Sequence, residues 1–161
     1  MDKINALAGT DYKPFNYFGA PDAEDIIISM GSSCGVIRET IGYWNARGKK
    51  LGLVEVHLYR PFSAEHLLRV IPETVKRIAV LDRTKEPGAM GEPLYLDIRN
   101  VYACRDNAPL IIGGRYGLGS KDFTPMDVMA VYANLASENP KNGFTVSIVD
   151  DVTNHSLPEY S

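Results

Sequence analysis

From Asp25 onward, short β-branched runs alternate with stretches whose apolar residues recur at helical spacing. The runs are "DIIISMG", "KLGLVEVHLYRP", "RIAVLDRT", "PLIIGG" and "FTVSIVD". Each is too short to be a helix and ends in glycine, proline or charge, as strands buried on both faces do. A strand–helix repeat at this spacing implies a parallel sheet with helices on both faces and right-handed crossovers. The fold class is therefore α/β.

Between the runs lie the helical segments. Ile37, Ile41 and Trp44 recur at i, i+4, i+7 after the first run, with Ser32 or Ser33 placed to cap the start and Gly48 the end. "SAEHLLRVIP" reads as a short helix opened by Ser63 and stopped by Pro72. Leu94, Ile98, Val101 and Tyr102 form one stripe on a helix over about 94–104. Thr124 as N-cap, Pro125 at the first position and Asp127 three residues on mark the clearest helix, with Val128, Val131, Tyr132 and Leu135 on one face. The first 24 residues are polar and rich in turn formers, so they read as an arm laid against the domain rather than a helix, with Phe15 to Phe18 as a short edge strand. The expected organisation is an arm and edge strand over 1–24, an α/β core over 25–150 and a polar tail over 151–161.

With 161 residues the chain fits one domain. Its net charge of −3 gives no general nucleic-acid surface, and no apolar run is long enough for a membrane span. Cys34 and Cys104 are too few for a disulfide framework, a four-cysteine zinc site or an iron–sulfur cluster, so both read as reduced thiols of a cytoplasmic protein.

In a parallel sheet, ligand or partner loops sit at the carboxyl ends of the strands. Those ends are "MGSSC", "YRPFS", "DRTKEPG" and "GGRYGLGSK", which bring Arg60, Arg83, Lys85, Arg115, Ser120 and Lys121 to one rim. The last loop looks like a phosphate cradle but fails each test. Gly114 and Gly119 have P-loop separation, yet Ser120 and Lys121 come in the wrong order, and Asp122 stands where a dinucleotide fingerprint needs its third glycine. Gly113, Gly114, Gly117 and Gly119 are then expected for backbone angles closed to other residues. "MGSSC" is a capped helix start that could also attract an anion. His57, His66 and His155 are too scattered to serve Cys34 or Ser120 as a base or to complete a metal site. Asp82, Arg83, Lys85 and Glu86 read as a local salt-bridge knot at an interface.

Six segments, in order, resemble the second domain of pyruvate:ferredoxin (flavodoxin) oxidoreductase: "YKPFNYFGAPDAED", "ISMGSSC", "VEVHLYRPFSAEHLL", "IAVLDRTKEPGAMGEPLYLD", "GGRYGLGSKDFTP" and "FTVSIVDDVTNHSLP". The resemblance runs from about Tyr12 to Pro158. It implies a three-layer α/β/α domain similar to the transketolase C-terminal domain, a mostly parallel five-stranded sheet with one antiparallel edge strand. It also implies a much longer enzyme, a homodimer that converts pyruvate and CoA to acetyl-CoA and CO2. That enzyme uses thiamine pyrophosphate, magnesium and iron–sulfur clusters, all held outside the matched region.

None of the family's catalytic or cofactor-binding residues falls on this chain, which would be an excised or truncated portion whose partners are the other domains of the enzyme. By this resemblance the rim is an interdomain surface. Two other readings stand beside it: a module whose basic rim binds a CoA or nucleotide phosphate, and a small enzyme built on Cys34 or Ser120.

Overall fold

The structure, a computed structural model, describes residues 1–149 and 152–160. Six strands form one sheet: β1 (Phe15–Gly19), β2 (Asp25–Met30), β3 (Leu51–Val56), β4 (Arg77–Asp82), β5 (Leu110–Arg115) and β6 (Phe144–Thr145), in the spatial order β1-β3-β2-β4-β5-β6. β1 runs antiparallel to β3, with Phe15 opposite Val56, and every other pairing is parallel. The expected mostly parallel sheet and antiparallel edge strand are both present, but the sheet has six strands against the five expected.

Consecutive side chains of the inner strands go to opposite faces and so build two cores. Ile27, Leu53, Ala79, Leu81 and Ile112 face helices α2 (Ser33–Asn45) and α5 (Pro125–Leu135). Ile26, Ile28, Val54, Val80 and Ile111 face α3 (Ala64–Val70) and α4 (Pro93–Tyr102). This is the reason "III" in β2 is apolar without alternation: both faces are covered, and each fully buried isoleucine contributes about 1.5–3 kcal/mol.

Ser63 caps α3 by accepting from the His66 N–H, and Thr124 and Asp127 form a reciprocal capping box on α5. The start of α2 differs. Ser32 precedes the helix without a side-chain cap, and Ser33 instead shares a 2.7 Å hydrogen bond with Ser29. The helix runs to Asn45 and Gly48 closes it as expected: with φ 89° it donates to the Asn45 C=O while the Lys49 N–H reaches the Trp44 C=O, and the Asn45 side-chain amide then bonds both the N–H and the C=O of Leu51 at the entry to β3. α4 closes at Tyr102, two residues short of Cys104.

Two expectations need correction at the ends. The arm contains a helix, α1 (Asp2–Ala8), closed by Gly9 in the left-handed region. "FTVSIVD" is a strand only at Phe144–Thr145, because Ser147 takes φ 61° and bends the chain away. The described part of the tail is not a loose polar end: Leu157 donates to the Thr145 C=O, and Leu157 and Tyr160 pack on the α2–α5 core. The expected core–tail boundary at 150/151 lies outside the described residues.

Candidate interdomain surface at the carboxyl edge of the sheet

The parallel register puts Met30 beside Val56 and Asp82 beside Arg115, so the loops after β2 to β5 leave from one edge. Asp82, the last residue of β4, is the pivot. Its buried carboxylate accepts from the N–H groups of Leu94 (3.0 Å) and Tyr95 (3.1 Å), two buried donors at the start of α4 that have no partner within the helix. Burial pushes the Asp82 carboxyl above the usual carboxylate range, while those two N–H groups pull it back. Glu92, the residue before α4, makes no cap of its own. It accepts instead from the Glu86 N–H (2.8 Å) and from Arg115 Nε, and Arg115 Nη1 reaches the Gly143 carbonyl at 2.8 Å.

The expected knot among Asp82, Arg83, Lys85 and Glu86 is therefore replaced by longer-range bonds. Asp82 spends its oxygens on α4 and Glu92 spends its own on Arg115, so the loop 83–92 is tied down at both ends. What the loop presents outward includes Arg83, Lys85, Glu86 and Met90, the last 93% exposed.

The rim cations separate into two groups. Arg115 points inward, its side chain only 12% exposed. Arg60 lies over the Tyr59 ring and pairs with Asp97 of α4 at 2.8 Å. Arg83 crosses Gly117, where an added Cβ would sit 3.0 Å from its Nε. Lys85, Ser120 and Lys121 are exposed.

The glycines also divide. Gly117 and Gly119 take φ 63° and 61°, as expected. Gly113 and Gly114 do not have positive φ; their hydrogens leave room for rings, since an added Cβ would lie 2.8 Å from Tyr95 Cγ and 2.1 Å from Phe144 Cζ. With aromatic rings filling that space, the "GG" pair is not open to a phosphate.

A second polar group lies at the ends of β2 and β3. Glu55 is buried, pairs with Arg38 and stands 3.7 Å from His57 Nε2. Cys34 lines the same cleft, where burial, and after it the Glu55 charge, pushes its thiol up to about 11. That removes thiolate at neutral pH and with it the nucleophile that a Cys34 enzyme needs. No group of three or more His, Cys, Asp and Glu suited to a metal occurs among the described residues. Cys34 is buried and Cys104 exposed, so the pair does not fit a cluster that requires four thiolates, and no step through one is assigned to this chain.

Residues 23–128 match the family model described as pyruvate:ferredoxin oxidoreductase core domain II. The chain belongs to that family. It is 59% identical over 157 residues to the pyruvate:ferredoxin oxidoreductase of Moorella thermoacetica, covering 98% of this chain and 13% of that protein. It is 56% identical to the pyruvate-flavodoxin oxidoreductase of Enterobacter agglomerans, covering 14% of it, and 54% identical to the mitochondrial pyruvate dehydrogenase [NADP(+)] of Euglena gracilis, covering 9% of it. Core domain II is thus a small part of each relative. Among solved structures it is similar in fold to a 2-oxoglutarate:ferredoxin oxidoreductase from Magnetococcus marinus (TM-score 0.53, 22% identity, 81% of this chain and 21% of that one). It is also similar to a split-gene transketolase (TM-score 0.57, 15% identity, 77% of this chain and 42% of that one). The six-stranded core domain II shares the transketolase-like architecture of these neighbours.

Glu92, which holds the buried side chain of Arg115, and Asp97, which holds the exposed Arg60, lie on or beside α4 and not in the loops that carry those arginines. The local sign of Glu92 is its place directly before Pro93 at a helix start, an N-cap position.

Proposed function

We propose that this chain is the structural, interdomain domain of a thiamine-pyrophosphate-dependent oxidoreductase that turns pyruvate and CoA into acetyl-CoA and CO2, and that it performs no chemistry by itself. The observation that carries this reading is the match of 98% of the chain to proteins of which it spans only 13% and 14%. The carboxyl edge agrees with it. Asp82 and Glu92 are spent on backbone N–H groups and Arg115, and what remains outward is a mixed set of charges, Arg83, Lys85 and Lys121 with Glu86 and Asp122, around an exposed Met90. A rim of mixed charge around an exposed apolar side chain suits contact with a neighbouring domain.

Relatives at 59%, 56% and 54% identity are named for ferredoxin, flavodoxin and NADP(+), so the electron acceptor is chosen elsewhere in the polypeptide. The same holds for thiamine pyrophosphate, magnesium and the clusters. The free thiols suit a reducing, cytoplasmic setting, and no helix among the described residues is long and apolar enough to cross a membrane.

The test is a reduction assay of the purified chain with pyruvate, CoA, thiamine pyrophosphate, magnesium and ferredoxin. No reduction is expected from the chain, whereas the whole polypeptide turns over. Turnover by the chain alone would overturn the proposal.

A further inference from the structure

Helix α1 spans seven residues, and its apolar side chains face away from both cores: Ile4 is 62% and Leu7 90% exposed. A helix this short is marginal in water without packing, because isolated helices need about 12–15 residues to persist. The turn that follows is nevertheless closely built. The Asn5 side-chain amide donates to the Tyr12 C=O and accepts from the Tyr12 N–H, both at 2.9 Å. The Asn5 carbonyl accepts from Thr10 N–H at 3.1 Å, and Gly9 supplies the left-handed closure. These bonds tie the end of α1 to Tyr12, itself an exposed aromatic, and define the shape the hook takes when it is folded.

The place of the hook follows from the topology. β1 is antiparallel, so it begins at the edge where the parallel strands end, and the Pro14 carbonyl just before it accepts from His57 and Leu58 beyond β3. α1 therefore leaves from the same edge as the loops carrying Lys85 and Lys121.

We propose that α1 is a docking hook whose Ile4 and Leu7 seat in an apolar groove of another domain of the same polypeptide, alongside the charged loops of the carboxyl edge. The inference rests on the reading of this chain as one domain of a longer enzyme. Three observations select that occupant. Most of each relative's length lies outside the region matched by this chain. The hook is continuous with the edge already assigned to interdomain contact. Its helix carries only Asp2 and Lys3 as charges, so burial of Ile4 and Leu7 rather than ion pairing must hold it.

Hydrogen exchange, read residue by residue in the isolated chain and in the whole polypeptide, tests this. In the isolated chain the amides of residues 5–9 exchange at nearly the open-chain rate. In the whole polypeptide they slow by about a hundredfold or more, and the double variant I4D/L7D abolishes that slowing while leaving β2 and β4 protected. Exchange at 5–9 that stays within about tenfold of the isolated chain would overturn the hook. If loops 83–92 and 116–121 still gain protection in that experiment, the interdomain reading survives and only the hook fails; if they do not, that reading fails too. Protection at 5–9 that appears in the isolated chain as its concentration rises, with a dimer mass in solution, would assign the groove to a second copy and overturn the proposal as stated.

Discussion

Arg115 and Glu92 form an ion pair whose side chains are only 12% and 5% exposed, and through it the loop after β4 is joined to the start of β6. Both groups left water to make this contact, so the cost of breaking it is asymmetric: the survivor stays buried without a partner.

Arg115→Met is accordingly expected to destabilise the domain by about 3–5 kcal/mol in urea unfolding. R115M/E92Q removes the stranded charge and keeps an acceptor for the Glu86 N–H, so it should be more stable than R115M. A single variant that costs under about 1 kcal/mol would mean the pair is solvated and does not organise the edge.

Glycine substitutions separate steric need from backbone need. Gly114→Ala drives a Cβ to 2.1 Å from the Phe144 ring, and overpacking of this kind costs about 1–3 kcal/mol. Gly117→Ala strains a φ of 63° and crowds Arg83, for about 1–2 kcal/mol. Gly35→Ala, with open space around it inside α2, should stabilise by about 0.5–1 kcal/mol. Thermal unfolding of the three variants gives the order directly.

Cys34 should be slow to alkylate. A thiol raised from 9.0 to about 11 has roughly a hundredfold less thiolate at pH 8, so in a C104S background its reaction with iodoacetamide is expected to lag unfolded chain by at least that factor. The folded state holds the proton more tightly than the unfolded chain, so the associated stability is complete below pH 9 and is lost as pH rises through about 11. Equal rates in folded and unfolded protein would contradict the burial.

Helix caps give a matched pair. Thr124→Ala removes the capping box of α5 and should cost about 1 kcal/mol, whereas Ser32→Ala, at a start where the side chain caps nothing, should cost close to none. Denaturant midpoints of the two variants decide it.

Much of the fold is legible along the chain because its signals are local. Thr124-Pro125 with Asp127 declares α5, Ser63 declares α3, and the unbroken "III" of β2 declares a strand covered on both faces. The misreadings also have local causes. α1 is hidden by its lack of a packed face, and the early end of β6 by a positive φ at Ser147, a residue that does not advertise one. The edge loops were legible as a set, but their partners were not: Asp82 meets Leu94 and Arg115 meets Glu92, 12 and 23 residues away.

The amino-acid order by itself determined the strand–helix alternation, the caps, the parallel sheet and the family, since each rests on spacing or segments within one stretch of chain. Only the tertiary structure decided that Arg115 turns inward, that Gly113 and Gly114 make room for Tyr95 and Phe144, and that Ile4 and Leu7 of α1 are left bare. The reason is physical: a side chain's charge or volume is fixed by its identity, but whether it is paired, filled against or left bare depends on which distant residues the folded sheet carries to its side.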